Sequence, residues 1–203
     1  MDTDKCIKTR RSARVYLKKE VPFDLVAEVL DVARYSPSSG NLQNWKFVLV
    51  KEDKKRKEIS EICKDQTFVS KAPVLIVVYA EIKRIKILYG VRGEALYSIQ
   101  NCAAAMQNMI LKAHELGLAT CWVGDFDEKK LNNVLGVSGD VRPQAIITLG
   151  YASEHRPTNK QPLKNFVFFE KWGERDMRTE YWPLERGLSK GVKKAKEFLF
   201  RLK

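Results

Sequence analysis

Three arginines and a serine share five positions near the amino terminus, Arg10-Arg11-Ser12-Ala13-Arg14. A guanidinium is a planar fork of donors that stays charged at any working pH, so this cluster suits a phosphate. It also reads as a solvated basic turn. A second polar knot follows at Ser36-Pro37-Ser38-Ser39-Gly40-Asn41-Leu42-Gln43-Asn44-Trp45. Its Ser-Ser-Gly stretch lets backbone approach a ring without side-chain bulk. Asn41 and Gln43 each carry a donor and an acceptor, which could match the polar edge of such a ring. Together the two knots could hold a phosphorylated, ring-bearing cofactor at both ends.

Other chemistries are poorly served. Neither G-x-G-x-x-G nor G-x-x-x-x-G-K-[ST] occurs, which argues against a Rossmann or P-loop site. No serine elbow or Cys/His arrangement suggests a nucleophile. The four cysteines (Cys6, Cys63, Cys102, Cys121) form no close pair and there are only two histidines, so no metal is expected. His114, on a helix, and His155, in a loop, read as structural.

Elements must position these residues. A short helix over 4–9 leads into the arginines. Pro22–Tyr35 predicts a helix, with Pro22 at its first position and Val26, Val29, Leu30 and Ala33 on one face. Ser36-Pro37 stops it, because the residue before proline is driven out of the α region. Lys46–Val50 predicts a strand, Lys54–Cys63 a helix, and the β-branched run Val74–Tyr79 a central strand covered on both faces. Glu94–Leu116 predicts the longest helix, with two apolar lines that are covered either within one chain or by a second subunit. Gly117 closes it. Ala119–Val123 is a strand, Glu128–Leu135 a helix capped by Asp127, and Ala145–Leu149 a strand. The alternation implies an α+β or α/β domain with one mixed sheet. Asn165–Phe169 reads as a strand that could add to a sheet edge, and Leu188–Leu202 as a basic amphipathic helix.

Several of these segments, in order, closely resemble the FMN-dependent nitroreductase family. They are Arg10–Arg14, Pro37–Trp45, the helix ending Ala113-His114-Glu115-Leu116-Gly117-Leu118, then Cys121-Trp122-Val123-Gly124, Leu149-Gly150-Tyr151 and Glu170-Lys171-Trp172-Gly173. The resemblance runs from about Ile7 to Gly173. It implies an α+β nitroreductase-like fold: a central mixed, mainly antiparallel sheet flanked by helices, with a long interface helix, in a homodimer that holds FMN at its seam. The domain organisation expected is an FMN-binding domain over 1–173 and a basic helical extension over 174–203. Residue by residue, the resemblance assigns Arg10, Ser12 and Arg14 to the FMN phosphate and ribityl chain, with Arg11 adding contacts. Pro37, Ser38, Ser39 and Asn41 come over the ring from the partner subunit, with Gln43 close by. Val123 and Gly124 lie along the isoalloxazine. Lys160 reaches the phosphate, although Asn159-Lys160-Gln161 is less basic than the family pattern and Arg156 could substitute.

The implied activity is NAD(P)H-dependent, ping-pong hydride transfer through FMN to nitroaromatic, quinone or flavin acceptors. No side-chain acid or base is required, so no catalytic residue is assigned. The same fold also supports reductive dehalogenation or flavin breakdown. A reading from another class is a basic α/β protein that binds nucleic acid, since the net charge is +12. Nucleic-acid modules interleave exposed aromatics with basic residues, whereas here most aromatics sit in strands or on helix faces, which argues against that reading. No apolar run reaches the roughly 20 residues of a spanning helix, and residues 1–5 hold no apolar leader. A cytoplasmic protein without membrane contact is expected, whose partners are a second copy of itself and a small-molecule acceptor.

Overall fold

The structure is a computed structural model that describes residues 1–64, 66–153 and 159–174. The chain divides into two compact units, 1–156 and 157–203.

The first unit is built on four strands, β1 (Trp45–Val50), β2 (Val74–Glu81), β3 (Ala119–Val123) and β4 (Val141–Gly150). Their order across the sheet is β1-β2-β4-β3, and every neighbouring pair is antiparallel. The expected mixed character is therefore corrected: among the described residues, parallel pairing is confined to one isolated bridge, Ser12–Thr120. β2 is the central strand the sequence predicts. Val74, Ile76, Val78 and Ala80 face one core, and Leu75, Val77 and Tyr79 the other. That strict alternation on a continuous apolar run requires cover on both sheet faces.

Helices supply the cover. On the first face lie α2 (Phe23–Asp31), through Val26 and Val29, and α6 (Ser98–Glu115), through Cys102, Ala105, Met106, Met109 and Ala113. On the second lie α3 (Asp53–Ile62), α4 (Phe68–Lys71) and α7 (Glu128–Leu135), which bring Ile59, Val69 and Leu131. Each such buried aliphatic side chain is worth about 1.5–3 kcal/mol. α1 (Thr3–Thr9) packs on the end of α6, and α5 (Lys83–Arg92) joins β2 to α6 through a π-helical turn at Gly93–Tyr97.

Local chemistry sets the boundaries. Asp127 accepts the Lys130 N–H at 3.0 Å and caps α7. Gly117, at φ 74°, ends α6, and the Leu118 N–H returns to the Ala113 carbonyl in a Schellman closure. α2 gives way to a 3-10 turn at Val32–Tyr35 before Ser36 turns extended. Pro22 sits one place earlier than expected, as the N-cap. Of the two apolar lines on α6, the first is buried at Cys102, Met106, Met109 and Ala113 but leaves Ile99 43% exposed, and the second is buried at Ile110 and half-buried at Ala103.

In the second unit, the strand expected over Asn165–Phe169 is not formed. Pro162 opens a 3-10 turn at Leu163–Asn165, in which the Asn165 and Phe166 N–H groups bond back to Pro162 and Leu163. The helix expected over 188–202 lies outside the described residues.

Candidate functional site

The arginine knot is laid along the outer edge of the sheet. α1 ends as Arg10 turns extended (φ −55°, ψ 133°). Ser12 then bridges to Thr120 of β3, and the Ala13 N–H bonds to the Thr120 carbonyl at 2.9 Å. Ala13 is buried while Ser12 and Arg14 are exposed, as a strand-like segment requires. Tyr16 anchors the segment: its hydroxyl donates to the Ala13 carbonyl (3.0 Å) and meets the Thr148 hydroxyl at 2.6 Å. Thr148 in turn accepts the Cys121 N–H at 2.9 Å. Burial drives the Tyr16 phenol well above its ordinary range, so it stays a neutral donor.

The three arginines behave differently. The Arg11 guanidinium is turned back on its own chain, donating to the carbonyls of Lys8 (2.6 Å) and Arg10 (2.8 Å). Arg14 stands 5.8 Å from the centre of the Phe68 ring. Arg14 and Arg10 both pull the Cys121 thiol down, although burial outweighs them and leaves it raised. Among the described residues, none of the three is ion-paired with a carboxylate. Uncompensated guanidinium groups beside a strand edge fit a phosphate dianion.

β3 offers more of that edge. Because the Thr120 carbonyl points to Ala13, strand alternation turns the backbone groups of Trp122 the same way, and β3 ends at Val123 just before Gly124. Trp122 is 40% exposed and Val123 buried. A Cβ on Gly124 would meet only the Trp122 indole nitrogen, at 3.9 Å, so the edge is open to a flat ligand.

The second knot is a pinned loop. Ser36 accepts from Asn108 Nδ2 at 2.8 Å. Ser39 gives both its N–H (3.0 Å) and its hydroxyl (3.3 Å) to Asn101 Oδ1. The Gln43 N–H bonds Ser38 Oγ at 3.1 Å, and Gln43 Nε2 donates to Asn41 Oδ1 at 2.9 Å. Pro37, Asn41 and Gln43 are exposed, and Ser38 and Ser39 half-buried. Gly40, Asn41 and Gln43 are all left-handed, at φ 55°, 54° and 47°. Tyr89 of α5 closes on this loop, its hydroxyl 2.5 Å from where a Cβ on Gly40 would stand. Asn101, Asn108 and Tyr89 escape a reading of the sequence by motifs. The signal available for Asn101 was a polar residue beside Cys102 and Ala105 on the helix's apolar side.

The chain lays the arginine segment on β3 at Thr120, on the strand that leads to Val123 and Gly124, but it does not join the arginines to the loop. Cys6 bonds the Leu111 carbonyl, and Thr9 meets His114 Nε2 at 2.8 Å, whereas Ser39 meets α6 at Asn101. The Ser39 contact is thus three to four helical turns, about 15–20 Å, from the α1 contacts, whereas Ser36 at the start of the loop meets Asn108 within a turn of Leu111. Among the described residues, no hydrogen bond or ion pair links the two sets. Two clefts on the chain lie elsewhere: one of about 240 Å³ between Cys6, Leu111 and Glu115, and an open one of about 510 Å³ beside Ala27 and Lys112. Lys160 is exposed in the second unit, and Arg156 lies outside the described residues.

The model of the nitroreductase family matches residues 7–151. A Thermus thermophilus protein named NADH dehydrogenase is 31% identical over 188 residues, spanning 79% of this chain and 92% of its own. A solved FMN-dependent nitroreductase from Clostridium difficile R20291 superposes with a TM-score of 0.73 at 25% identity, over 84% of this chain and 100% of that one. NfrA2 of B. megaterium superposes with a TM-score of 0.77 at 20% identity, over 96% and 84% of the two chains.

Proposed function

We propose a function on one premise: the chain belongs to the nitroreductase family. It is an FMN oxidoreductase that takes reducing equivalents from NAD(P)H and passes them to a nitroaromatic, quinone or flavin acceptor. The active species is a homodimer with FMN at the seam. The observation that carries this reading is the Arg10–Arg14 segment held against the open edge of β3, with three guanidinium groups that find no carboxylate partner among the described residues.

When bound, FMN supplies the two-electron chemistry between nicotinamide and acceptor. The chain does the rest. Arg10 and Arg14 neutralise the phosphate through charge-assisted bonds, and the Ser12 hydroxyl adds a short contact. Arg11 contributes mainly by closing the turn, since its Nη1 is already engaged by two backbone carbonyls. The backbone of Trp122–Gly124 lines the ring along the β3 edge. The partner's copies of Ser38, Ser39, Asn41 and Gln43 offer hydroxyls and amides to the ring's polar rim. Lys160 remains a candidate for the phosphate. One slot then serves donor and acceptor in turn, which requires ping-pong kinetics.

The test is direct. Full-length protein purified with FMN should be yellow, hold about one FMN per chain, and bleach anaerobically on adding NADH or NADPH. Adding a quinone should restore the colour. A colourless protein that takes up no FMN overturns the proposal.

A further inference from the structure

We propose that Asn101 is a positioning residue: it pins the 36–44 loop in the shape that meets FMN, without touching the cofactor. The inference rests on the FMN reading above. Asn101 projects from α6 and is 4% exposed. Its Oδ1 takes the N–H and the hydroxyl of Ser39, and its Nδ2 gives to Asn44 Oδ1 at 2.8 Å. Asn44, 3% exposed, passes the constraint on: its Nδ2 donates to the Glu81 carbonyl at 3.2 Å, and its own carbonyl takes the Glu81 N–H at 2.7 Å.

Both ends of the Ser39–Asn44 segment are thus tied to one buried amide. Between them, Asn41 and Gln43 hold left-handed backbone. Asparagine enters that region at small cost, but glutamine keeps it only where the surroundings hold it there. The pin is what holds it here, and the residues it shapes are those assigned to the ring.

The site needs an asparagine, because the side chain must accept on one side and donate on the other. Aspartate keeps the acceptor for Ser39 but turns an oxygen toward Asn44 Oδ1. Asn44 could answer only by flipping its amide and giving up its bond to Glu81. Leucine removes both halves and leaves the Ser39 N–H unsatisfied.

The experiment compares full-length Asn101→Asp and Asn101→Leu with Met106→Ala. Met106 lies one to two turns along the same helix and is buried in the core, and among the described residues it makes no hydrogen bond to the loop. FMN affinity is read by fluorescence titration, and hydrogen exchange is followed over residues 39–44 in the FMN-free protein. Both Asn101 variants should raise the FMN Kd at least about tenfold and speed exchange in the loop. Met106→Ala, chosen for a similar loss of melting temperature, should change the Kd by less than about twofold, because it removes core packing and none of the bonds that hold the loop. Should Asn101→Leu fail to fold, Asn44→Ala takes its place with the same expected loss. Asn101 variants that bind FMN like the wild type, or a Met106→Ala that weakens binding equally, overturn the role. A wild-type chain that takes up no FMN overturns the functional reading, and this role with it.

Discussion

Arginines of the same type, in one short segment, are not equivalent here. Arg11 Nη1 is engaged by two backbone carbonyls, whereas no such backbone bond turns Arg10 or Arg14 back on the chain among the described residues. Arg10→Gln and Arg14→Gln should each weaken FMN binding about 10–100-fold, since a charge-assisted bond to an anion carries about 1.5–3 kcal/mol. Arg11→Gln should cost much less. Titrations at one fixed salt concentration check the ranking, and an Arg11 effect equal to the others would sink it. Buried thiols and a phenol set the alkaline limit of stability. Burial pushes Cys63, Cys102 and Tyr79 up to about 12. In the unfolded chain the thiols ionise near 9 and the phenol near 10, so the unfolded state sheds protons first. Their contribution is complete below about pH 8.5 and is lost as pH rises toward 12, at up to about 1.4 kcal/mol per group per pH unit. Urea midpoints should therefore fall between pH 8 and 10; a midpoint that holds or rises contradicts the burial argument.

Elements were legible from sequence where pattern and punctuation were local. The run Val74–Tyr79, the Asp127 cap and the Gly117 stop each carry their own signal, and each forms as expected. Where a distant contact decides, the pattern misleads. Pro143 argues against a strand, yet β4 starts at Val141, because Gln144 bulges out between the Val78–Ala145 and Tyr79–Pro143 pairs and accommodates the ring. α5 showed no apolar stripe: Ile85 alone is buried, Ile87, Leu88 and Val91 are exposed, and Gly90 interrupts it at φ 57°, ψ −147°. The arginine knot was readable because its chemistry sits in five consecutive residues. The shape of the second knot was not, because Asn101 and Tyr89 that fix it lie on elements far along the chain. That shape can be tested at Gly40. Alanine there must adopt φ near 55° and place its Cβ 2.5 Å from the Tyr89 hydroxyl, whose ring is held edge-on to Tyr97. Gly40→Ala should cost about 1–3 kcal/mol and lower the melting temperature by several degrees. Adding Tyr89→Phe should recover the steric part and leave the backbone part. A double variant no better than Gly40→Ala alone would mean that the hydroxyl is not what crowds the site.

At the scale of the molecule, the residues assigned to the site fall in two separate sets on one chain. The arginines follow α1, which docks on α6 near Leu111 and His114, whereas Ser39 docks at Asn101, about 15–20 Å along the helix. The proposed two-fold dimer accounts for this, because its symmetry would set the loop of one copy beside the arginines of the next and make two identical sites. The arrangement predicts complementation between chains that are each defective alone. One chain carries Arg10→Gln and Arg14→Gln with its loop intact; the other carries Asn41→Ala and Gln43→Ala with its arginines intact. If each site draws its halves from different chains, a mixed dimer contains one fully intact site and one doubly damaged site. Random pairing makes half of the dimers mixed, so co-expression should restore tight FMN binding to about a quarter of the wild-type sites. If each chain builds its own site, every site keeps one lesion, and mixing restores nothing. Counting tightly bound FMN in the co-expressed protein, against each variant alone and against the mass of the assembly in solution, separates the two outcomes.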